Sequence, residues 1–443
     1  MKGDFSRDTF DKAKHFSRVL MQQGRVQLDA DWNEQTAILL HYLQSLAADL
    51  IGPHGGVGDS FEIKTLEGSN DFKITKGHYY VDGILCENEG TTVNGDFQYF
   101  SQPNYPLDTN KDKLTEGKWL VYLDVWERHL THAEVESPDD SVISIREVAL
   151  GGPDTATRAQ IVWQAKLKLL NATDNSDFKN EYLTFLDALG EEKKPGTGSL
   201  RVRAKKTEDS KDPCLTAPES RYRGPENQLY RVEIHKHGSA GTATFKWSRE
   251  NGSVIFPIRT LDGNDAILEY LGRDKRLGLQ KDDWVEIVDD HIVLRGDAGQ
   301  LARVDDIDII ELRVTLKPSA GANLPDYQKN DARHPLLRRW DRWERKEAEM
   351  PIKEGTTDND WIELEDGIRI QFEPGGTYCT GDYWLIPART ATGDVEWPGP
   401  ADKPAALPPH GVIHHYAPLA IISIENGNVT VTKLRRTLNQ IWS

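Results

Sequence analysis

The chain contains few cysteines, no long apolar run and no excess of positive charge. Its three cysteines, Cys86, Cys214 and Cys379, are far apart and odd in number, a pattern that indicates neither a disulfide framework nor a cysteine metal motif. Such scarcity favours a reducing compartment. No window reaches the roughly 18 apolar residues that a membrane span needs, and residues 1–16 lack the apolar run of a signal peptide. We therefore expect cytoplasmic synthesis without a signal peptide, and no direct membrane span.

The charge balance narrows the range of partners. The formal net charge of the 443 residues is −17. General binding to nucleic acid or to an anionic membrane needs a basic surface, so the charge argues against both and favours protein partners. A hydrophobic content of 37%, with 36 glycines, 22 prolines and 12 tryptophans, is typical of a folded, turn-rich chain with two or three domains.

The common catalytic motifs are also missing, because the sequence has no GxSxG elbow, Walker loop, GxGxxG fingerprint or HExxH pair. The best metal-like group is HGVIHH, which contains His410, His414 and His415. A spacing of four residues puts two imidazoles on one face of a helix, but this segment follows prolines and leads into a predicted strand. Loop histidines bonded to the backbone are the alternative. We predict no metal site and no cofactor, with these three as weak candidates.

Acidic residues cluster in the second half of the chain, as a glycosidase with paired carboxylates would require. The cluster comprises Asp289, Asp290, Asp305, Asp306 and Asp308. Adjacent aspartates in polar segments are usually turn formers, and the sequence gives no distance between them. We therefore predict no catalytic residue.

A long helix within residues 16–52 is the strongest local signal that is present. Asp31 and Glu34 have the spacing of a capping box, and Gly52 followed by Pro53 marks the end. Between these signals, apolar residues recur at helical spacing, namely Trp32, Leu39, Leu40, Leu43, Leu46, Ala47 and Leu50. A helix of about 19 residues would be roughly 28 Å long.

This helix is too long for a small domain to cover, so we interpret residues 16–52 as a docking module for another protein. The predicted assembly interface consists of Phe16, Leu20, Trp32, Leu39, Leu43 and Leu50. Asp29, Asp31 and Glu34 could meet basic residues of the partner, although N-capping alone explains the last two. A surface helix on its own domain is the alternative.

The rest of the chain predicts mainly β structure with an N-terminal helical module, arranged as several antiparallel sandwich-like or barrel-like domains. Residues 119–130 form a nearly continuous apolar run, which fits a strand covered on both faces. The segment 282–296 is predicted as a hairpin with a turn at Asp289 and Asp290, and 307–316 as a single strand. A short helix is predicted at 178–189, and a helix or capping turn at 338–347.

The predicted domains follow these changes of pattern. They are an N-terminal arm and docking helix at 1–57, a β-rich domain at 58–254 with a variable insertion at 171–218, a possible inserted β domain at 255–335, and a C-terminal β segment at 336–443 that packs with 58–254. Clustered tryptophans could form a sugar platform or a subunit interface, but in a β-rich chain core packing is favoured. They are Trp119, Trp126, Trp163, Trp247, Trp340 and Trp343.

Long stretches of the sequence resemble an uncharacterised bacterial family that is encoded in phage-tail-like contractile injection gene clusters. The similar stretches are MKGDFSRDTFDKAKHFSRVLMQQGRVQLDADWNEQ, YLDVWERHL, ALGGPDTATRAQIVWQ, RGPENQLYRVEIH, TATFKWSRENGSV, RRWD, GDYWLIPARTATGDVEWP and HGVIHHYAPLA. The chain departs from the family at its end, where VTKLRRTLNQIW replaces a cysteine-containing segment. The LxxGRxxQ-like lead and long helix are also similar to the first module of some phage baseplate and fibre proteins.

The resemblance implies a non-enzymatic structural component of a contractile injection particle, near its baseplate or spike. Its partners would be other protein subunits of the particle, with a homo-oligomer as a possibility, and the protein could leave the cell with the particle. The family has no established catalytic residues to carry over. Two other functions stay open: a module that recognises glycans or receptors, and a hydrolase or delivered effector.

Overall fold

A computed structural model provides the structure of the protein. It describes residues 1–66, 71–90, 95–107, 114–135, 145–171, 175–192, 194–204, 221–274, 276–319, 322–341, 349–400, 402–426 and 428–438. The described chain is 40% strand and 15% helical, which confirms the prediction of a mainly β fold with an N-terminal helix.

Four α-helices lie in the described residues, and the first is the longest. They are α1 (Asp29–Ile51), α2 (His132–Val135), α3 (Asn175–Glu192) and α4 (Asp290–Arg295). Short 3₁₀ turns occur at Lys12–Lys14, Tyr99–Ser101, Val148–Leu150 and Asp358–Asp360. Helix α3 confirms the helix predicted at 178–189, within the predicted insertion. None of the described helices is long and apolar enough to cross a membrane.

The strands are short and numerous. In the first half of the chain they are β1 (His54–Val57), β2 (Ile63–Thr65), β3 (Phe72–Ile74), β4 (Gly77–Val81), β5 (Ile84–Asn88), β6 (Phe97–Gln98), β7 (Gly117–Leu130), β8 (Arg158–Leu170), β9 (Leu200–Ala204), β10 (Gln228–Lys236), β11 (Gly238–Ser239) and β12 (Thr244–Ser248). In the second half they are β13 (Ile255–Asp262), β14 (Asp265–Leu268), β15 (Trp284–Val288), β16 (Gln300–Asp308), β17 (Arg313–Pro318), β18 (Leu336–Trp340), β19 (Met350–Pro351), β20 (Ile362–Glu363), β21 (Ile368–Phe372), β22 (Thr377–Tyr378), β23 (Tyr383–Arg389), β24 (Asp394–Val395), β25 (His415–Glu425), β26 (Asn428–Lys433) and β27 (Thr437–Leu438).

The first core lies between the sheet β26-β25-β7-β8 and two smaller sheets, β27-β1-β4-β5 and β2-β3-β6. On one face of β7, Val121 and Leu123 pack into this core. On the other face, Leu120 and Tyr122 pack against α3 through Tyr182. Strand β7 is therefore covered on both sides, as its continuous apolar run predicts.

A second core lies between the sheet β19-β12-β10-β23-β24 and the sheet β20-β21-β9. Its largest side chains are aromatic: Phe245, Trp247, Phe372, Tyr378 and Trp384. Strand β10 occupies the centre of the larger sheet, because it pairs antiparallel with both β12 and β23. Charged side chains on β10 are consequently buried along with its apolar ones.

A closed six-stranded barrel, in the order β13-β14-β17-β16-β15-β18, forms the third core. Its interior is filled by apolar side chains, among them Phe256, Val285, Ile287, Val314 and Leu316. The chain enters the barrel after β12 and returns afterwards to β19, which pairs with β12. The barrel is thus inserted between two neighbouring strands of the second core. The predicted range 255–335 contains five of its strands, and the sixth follows directly.

The hairpin predicted at 282–296 is wrong. Strand β15 is present, but the aspartates after it start helix α4 instead of a turn. The Asp289 side chain accepts the N–H of Ile292 at 2.9 Å, as an N-cap does, and Gly296, with φ 72°, ends the helix. The alternating apolar residues that suggested a returning strand belong to this short helix.

One further local prediction fails in the same region, and another is described only at its start. The single strand predicted at 307–316 is instead the tip of the β16–β17 hairpin. Asp308 accepts the N–H groups of Ile310 and Glu311 there, so the chain turns. The helix or capping turn predicted at 338–347 begins as strand β18, and residues 342–348 lie outside the described residues.

Candidate assembly surface

Helix α1 begins earlier than the sequence predicts. Leu28 is the N-cap and Asp29 the first helical residue, so the capping box of Asp31 and Glu34 does not form. The Asp31 carboxylate instead accepts the Leu28 N–H at 3.4 Å, which pairs one of the donors left open at the helix start. The helix has 23 residues, or roughly 35 Å, and it ends at Gly52 as predicted.

The helix rests on the sheet β27-β1-β4-β5 along a narrow strip. Within α1 only Ala30 and Ile38 are buried. The hairpin turn between β4 and β5 lies directly beneath the helix at Gly83. A Cβ atom on Gly83 would collide with the carbonyl oxygen of Gln44, so glycine is required for this close approach. Its φ of 81° adds a second reason, because left-handed backbone is costly for other residues.

The opposite side of the helix is apolar and exposed. Leu39 is 53% exposed and Leu50 is 77% exposed. The full exposed set on this helix is Trp32, Leu39, Leu40, Tyr42, Leu43, Leu46 and Leu50. Large apolar side chains that contact water over a contiguous face usually mark an interaction site. All four helical residues of the predicted assembly interface belong to this set.

The arm that precedes the helix adds to the same apolar region. Phe16 and Leu20, the two remaining predicted interface residues, are exposed, and so are Met21, Val26 and Leu28. Among the described residues, nearly half of the exposed large apolar side chains lie between Phe16 and Leu50. We call residues 16–50 with these exposed side chains the apolar module.

The arm is held to the helix by polar contacts. The Asp29 carboxylate accepts the Ser6 N–H at 2.8 Å, and the Glu34 carboxylate accepts the Thr9 hydroxyl at 2.7 Å. Further along, the Val19 N–H donates to the Gln35 side chain at 2.8 Å. Asp29, Asp31 and Glu34 therefore serve the arm and the helix start.

The tryptophans predicted as possible platform residues lie mostly in the cores. Trp126, Trp163, Trp247 and Trp340 are buried, Trp119 is half-buried, and Trp343 lies outside the described residues. The exposed tryptophan of the described chain is Trp32 on α1. The buried tryptophans are thus core packing residues, whereas Trp32 belongs to the exposed apolar face of α1.

A buried charge cluster was not predicted from the sequence. On one face of β10, Arg231 and Glu233 form an ion pair at 2.5 Å. Lys246 on β12 lies 3.4 Å from Glu233 and 2.6 Å from Glu286 of the barrel strand β15. Lys2 of the N-terminal arm reaches Glu233 at 3.0 Å. The cluster therefore joins the arm, the second core and the barrel.

The titration of these groups follows from their burial and pairing. Burial raises the pKa of Glu286, but the ammonium groups of Lys246 and Lys2 outweigh it and lower that pKa to about 2. Burial lowers the pKa of Lys2 to about 8, although Glu233 opposes the shift. The Glu286 carboxylate also accepts the indole N–H of Trp340 at 2.8 Å. Fully paired, such a cluster fixes geometry more than it adds stability.

The sequence carries a signal for this cluster in the pattern of strand β10. Residues 230–235 alternate between apolar and charged or polar side chains, so one face of this buried strand carries Arg231, Glu233 and His235. His235 is buried, and its pKa is lowered to about 4 mainly by burial. His237, two residues further along, lies beyond the end of β10 and is exposed.

A cleft of about 430 Å³ lies between the arm and the edge of the second core. Its polar groups already hold the arm: the Asn251 amide donates to the carbonyl of Gly3 at 2.9 Å, and the Arg389 guanidinium donates to the carbonyl of Ser6 at 3.0 Å. At its base, burial and the nearby Asp341 raise the pKa of Glu250 to about 8. This cleft is therefore best described as the joint between arm and body.

The candidate metal histidines have separate partners. His414 pairs with Asp124 at 2.7 Å, and His415 pairs with Asp82 at 2.9 Å. The ring of His410 packs on Tyr383. In the described part of the chain, no three histidine, cysteine, aspartate or glutamate side chains come together as ligands.

The clustered aspartates are spread over the barrel. Asp289 caps α4 and accepts the Tyr327 hydroxyl at 3.0 Å. Asp290 pairs with His334 at 2.7 Å. Asp305 and Asp306 are exposed on β16 or its edge, and Asp308 shapes the β16–β17 turn. The five aspartates therefore lie at separate positions on the barrel, and the structure does not bring two of them together as a pair facing one cleft.

Comparison with known proteins identifies the family but no better-characterised relative. No curated protein matches the chain, and no solved structure matches it. One family profile matches residues 1–196 and again residues 195–430, which together span nearly the whole sequence. The chain therefore belongs to DUF6519, a family of unknown function.

Proposed function

We propose that this protein is a non-enzymatic structural subunit that assembles through its apolar module, residues 16–50, as part of a phage-tail-like contractile injection particle. The resemblance of the sequence to a family encoded with such particles suggests this setting and favours a position near the baseplate or spike. The observation that carries the proposal is the exposed apolar face of α1, on a helix that touches its own sheet only along a thin strip.

The energetics favour assembly over exposure. Burying one large apolar side chain contributes about 1.5–3 kcal/mol, so the seven exposed side chains of α1 together provide a gain of the same order as the association cost of about 4–15 kcal/mol, or larger. The face that meets the partner is also separate from the face that meets the sheet. Docking can therefore occur without unfolding the helix or detaching it from the body.

The buried charge cluster suits a docking module that must be held rigidly. Lys2 fixes the arm to Glu233 in the body, and Asp29 and Glu34 fix the arm to the helix. The helix is thus oriented relative to the β cores by both its sheet contact and its arm. A rigid module loses less conformational entropy when it binds.

The test is a charge placed on the exposed face. Leu43→Lys keeps a good helix former at a position that is 65% exposed, so folding should be unaffected. Leu150→Lys, in the 3₁₀ turn Val148–Leu150 and 71% exposed, is the matched control. Deletion of residues 1–52 is a poorer test, because it also removes Lys2 from the buried cluster.

Each variant is expressed in the native host in place of the wild-type chain, and particles are purified by sedimentation. We expect the wild-type chain and Leu150→Lys in the particle fraction, and Leu43→Lys in the soluble fraction with an unchanged circular dichroism spectrum. Absence of the wild-type chain from the particles, or retention of Leu43→Lys on them, would contradict the proposal.

A further inference from the structure

The exposed face of α1 has the spacing of a helix-pairing seam. Its central line steps by four, three, four, three and four residues, through Trp32, Thr36, Leu39, Leu43, Leu46 and Leu50. This is the 3.5-residue period with which helices interlock in coiled coils. Thr36, the polar member, donates its hydroxyl to the Trp32 carbonyl at 3.1 Å, so that hydroxyl already has a partner within the helix. We call these six positions the seam.

The seam is distinct from the face that packs on the body. Ile38, outside the seam, is 1% exposed, whereas its neighbour Leu39 is 53% exposed. A helix that covers only its own domain shows one broad apolar stripe. Here one helix carries two apolar faces, of which the folded chain covers one.

The charge pattern beside the seam favours a partner helix that is also nearly uncharged. The positions beside the seam are Asn33, Gln35, Leu40, Tyr42, Ala47 and Asp49, of which only Asp49 is charged. The helix contains no lysine or arginine, and its other carboxylates serve the arm and the helix start. A strongly basic or acidic partner would therefore find almost no complementary charge, whereas an uncharged helix of equal spacing fits.

We infer that the seam pairs with the seam of a second copy of this chain, in an antiparallel arrangement centred at His41. In this register residue i faces residue 82 − i of the other copy, since the steps of the seam read the same in both directions. Trp32 then faces Leu50, Thr36 faces Leu46, and Leu39 faces Leu43. This inference rests on the proposed function and names the partner of the same surface.

The flanking positions favour the antiparallel direction. In an antiparallel pair each flank of the seam lies beside the same flank of the other copy, so Gln35 comes close to Asp49 and its amide can donate to that carboxylate. Each Asp49 also comes near the N-terminal end of the opposite helix, where the macrodipole favours negative charge. A parallel pairing would instead place the two Asp49 carboxylates at the same end.

The area is sufficient for a stable dimer. Eight side chains, the seam with Leu40 and Tyr42, remove on the order of 60–100 Å² each when covered. That amounts to roughly 500–800 Å² per copy, against the approximately 1,000 Å² in total that a specific interface needs. The interface is isologous, so the same substitution changes both halves of it.

Sedimentation analysis of the full chain at micromolar concentration tests the pairing. The wild type and Leu150→Lys are expected at twice the 50.0 kDa mass of the chain. Leu43→Lys places a charge opposite Leu39 in both halves and should raise the dimer dissociation constant by roughly 100-fold or more. A monomeric wild type, or an unchanged dissociation constant for Leu43→Lys, overturns the inference.

Disulfide trapping tests the direction, in a background with Cys214 and Cys379 replaced by serine. We expect that Trp32→Cys and Leu50→Cys each give no covalent dimer alone and give one when mixed, because equal positions lie about 27 Å apart in the antiparallel pair. Covalent dimers from either variant alone would overturn the antiparallel arrangement. A monomeric wild type that still enters particles through Leu43 would overturn self-pairing and leave the proposed function standing.

Discussion

At the scale of single residues, the most informative groups are carboxyls whose pKa the fold raises. Glu250 is buried beside the arm joint, and its carboxylate neighbour Asp341 adds to the effect of burial. Glu365 is held in a similar way: burial raises its pKa to about 7, although Arg249 opposes the shift. Both groups bind protons more tightly in the folded protein than in the unfolded chain.

This difference predicts a pH dependence of stability. A folded pKa raised from 4.5 to about 8 gives a contribution that is fully present below pH 4.5 and is lost as the pH rises through 8. Wild-type stability should therefore decline over this window. Glu250→Gln mimics the neutral acid and should make this decline shallower. The unfolding free energy of the variant should fall less steeply than that of the wild type, by up to about 1.4 kcal/mol per pH unit.

The measurement is a set of urea unfolding curves between pH 5 and pH 9. The variant should match the wild type near pH 5 and exceed it by several kcal/mol near pH 9. Glu365→Gln should act in the same direction over a narrower window, because its folded pKa is lower. Parallel curves for the wild type and Glu250→Gln would contradict the placement of this carboxyl.

At the scale of elements, helix α1 and the β4–β5 hairpin form the contact on which the apolar module depends. The hairpin turn has positive φ at Asp82 and Gly83, 47° and 81°, as a type I′ turn requires. The sequence pair Asp-Gly favours such a turn. It could not predict that the helix backbone would lie on the glycine.

Two glycine substitutions separate the turn from the helix contact. Gly83→Ala should cost the strain of a left-handed residue, about 1–2 kcal/mol, and in addition push against the helix. Gly263→Ala, in the β13–β14 turn with φ 58° and nothing within 4 Å of its added Cβ, should cost the strain alone.

Hydrogen exchange with mass spectrometry distinguishes the two effects. Gly83→Ala should speed exchange of the α1 amides, residues 29–51, because the helix loses its close contact with the hairpin turn. Gly263→Ala should leave those amides at wild-type protection while destabilising its own hairpin. Equal protection of α1 in both variants would show that the helix does not depend on this contact.

At the scale of the whole molecule, the buried charge cluster is the feature that connects separate parts. Lys246 bridges Glu233 in the second core and Glu286 in the barrel, and its ammonium lies 4.4 Å from the ring of Trp340. Since Lys2 joins the same cluster, the arm, the sheet and the barrel share one set of ionic contacts.

Removing the Lys246 ammonium should therefore destabilise the packing of the arm, the second core and the barrel against one another. Lys246→Met leaves the buried Glu286 without its main cation and removes one of the three cations around Glu233, a loss of about 3–5 kcal/mol. Lys236→Met is the matched control, because Lys236 pairs with Glu349 at 2.7 Å but is 62% exposed, and should cost at most about 1 kcal/mol. Differential scanning calorimetry should show a lower midpoint for Lys246→Met, with the barrel separating as its own transition. A single unshifted transition would argue against this coupling.

Local patterns in the sequence determined the elements of this protein: the long helix, the strand that is covered on both faces and the Asp-Gly turns. These follow from periodicity and turn chemistry that act within a few residues. Where two local patterns competed, as at Asp289 and Asp290, the sequence could not decide between a turn and a helix cap.

The tertiary structure alone decided which side of α1 the body covers. Leu39 and Ile38 are neighbours of similar hydrophobicity, yet Leu39 is 53% exposed and Ile38 only 1% exposed, and this difference arises only when distant segments pack against one side of the helix. It also decided the ionic cluster, whose members at positions 2, 233, 246 and 286 lie far apart along the chain. Periodicity reports how a segment is shaped, whereas burial and ion pairing depend on which distant segment packs against it.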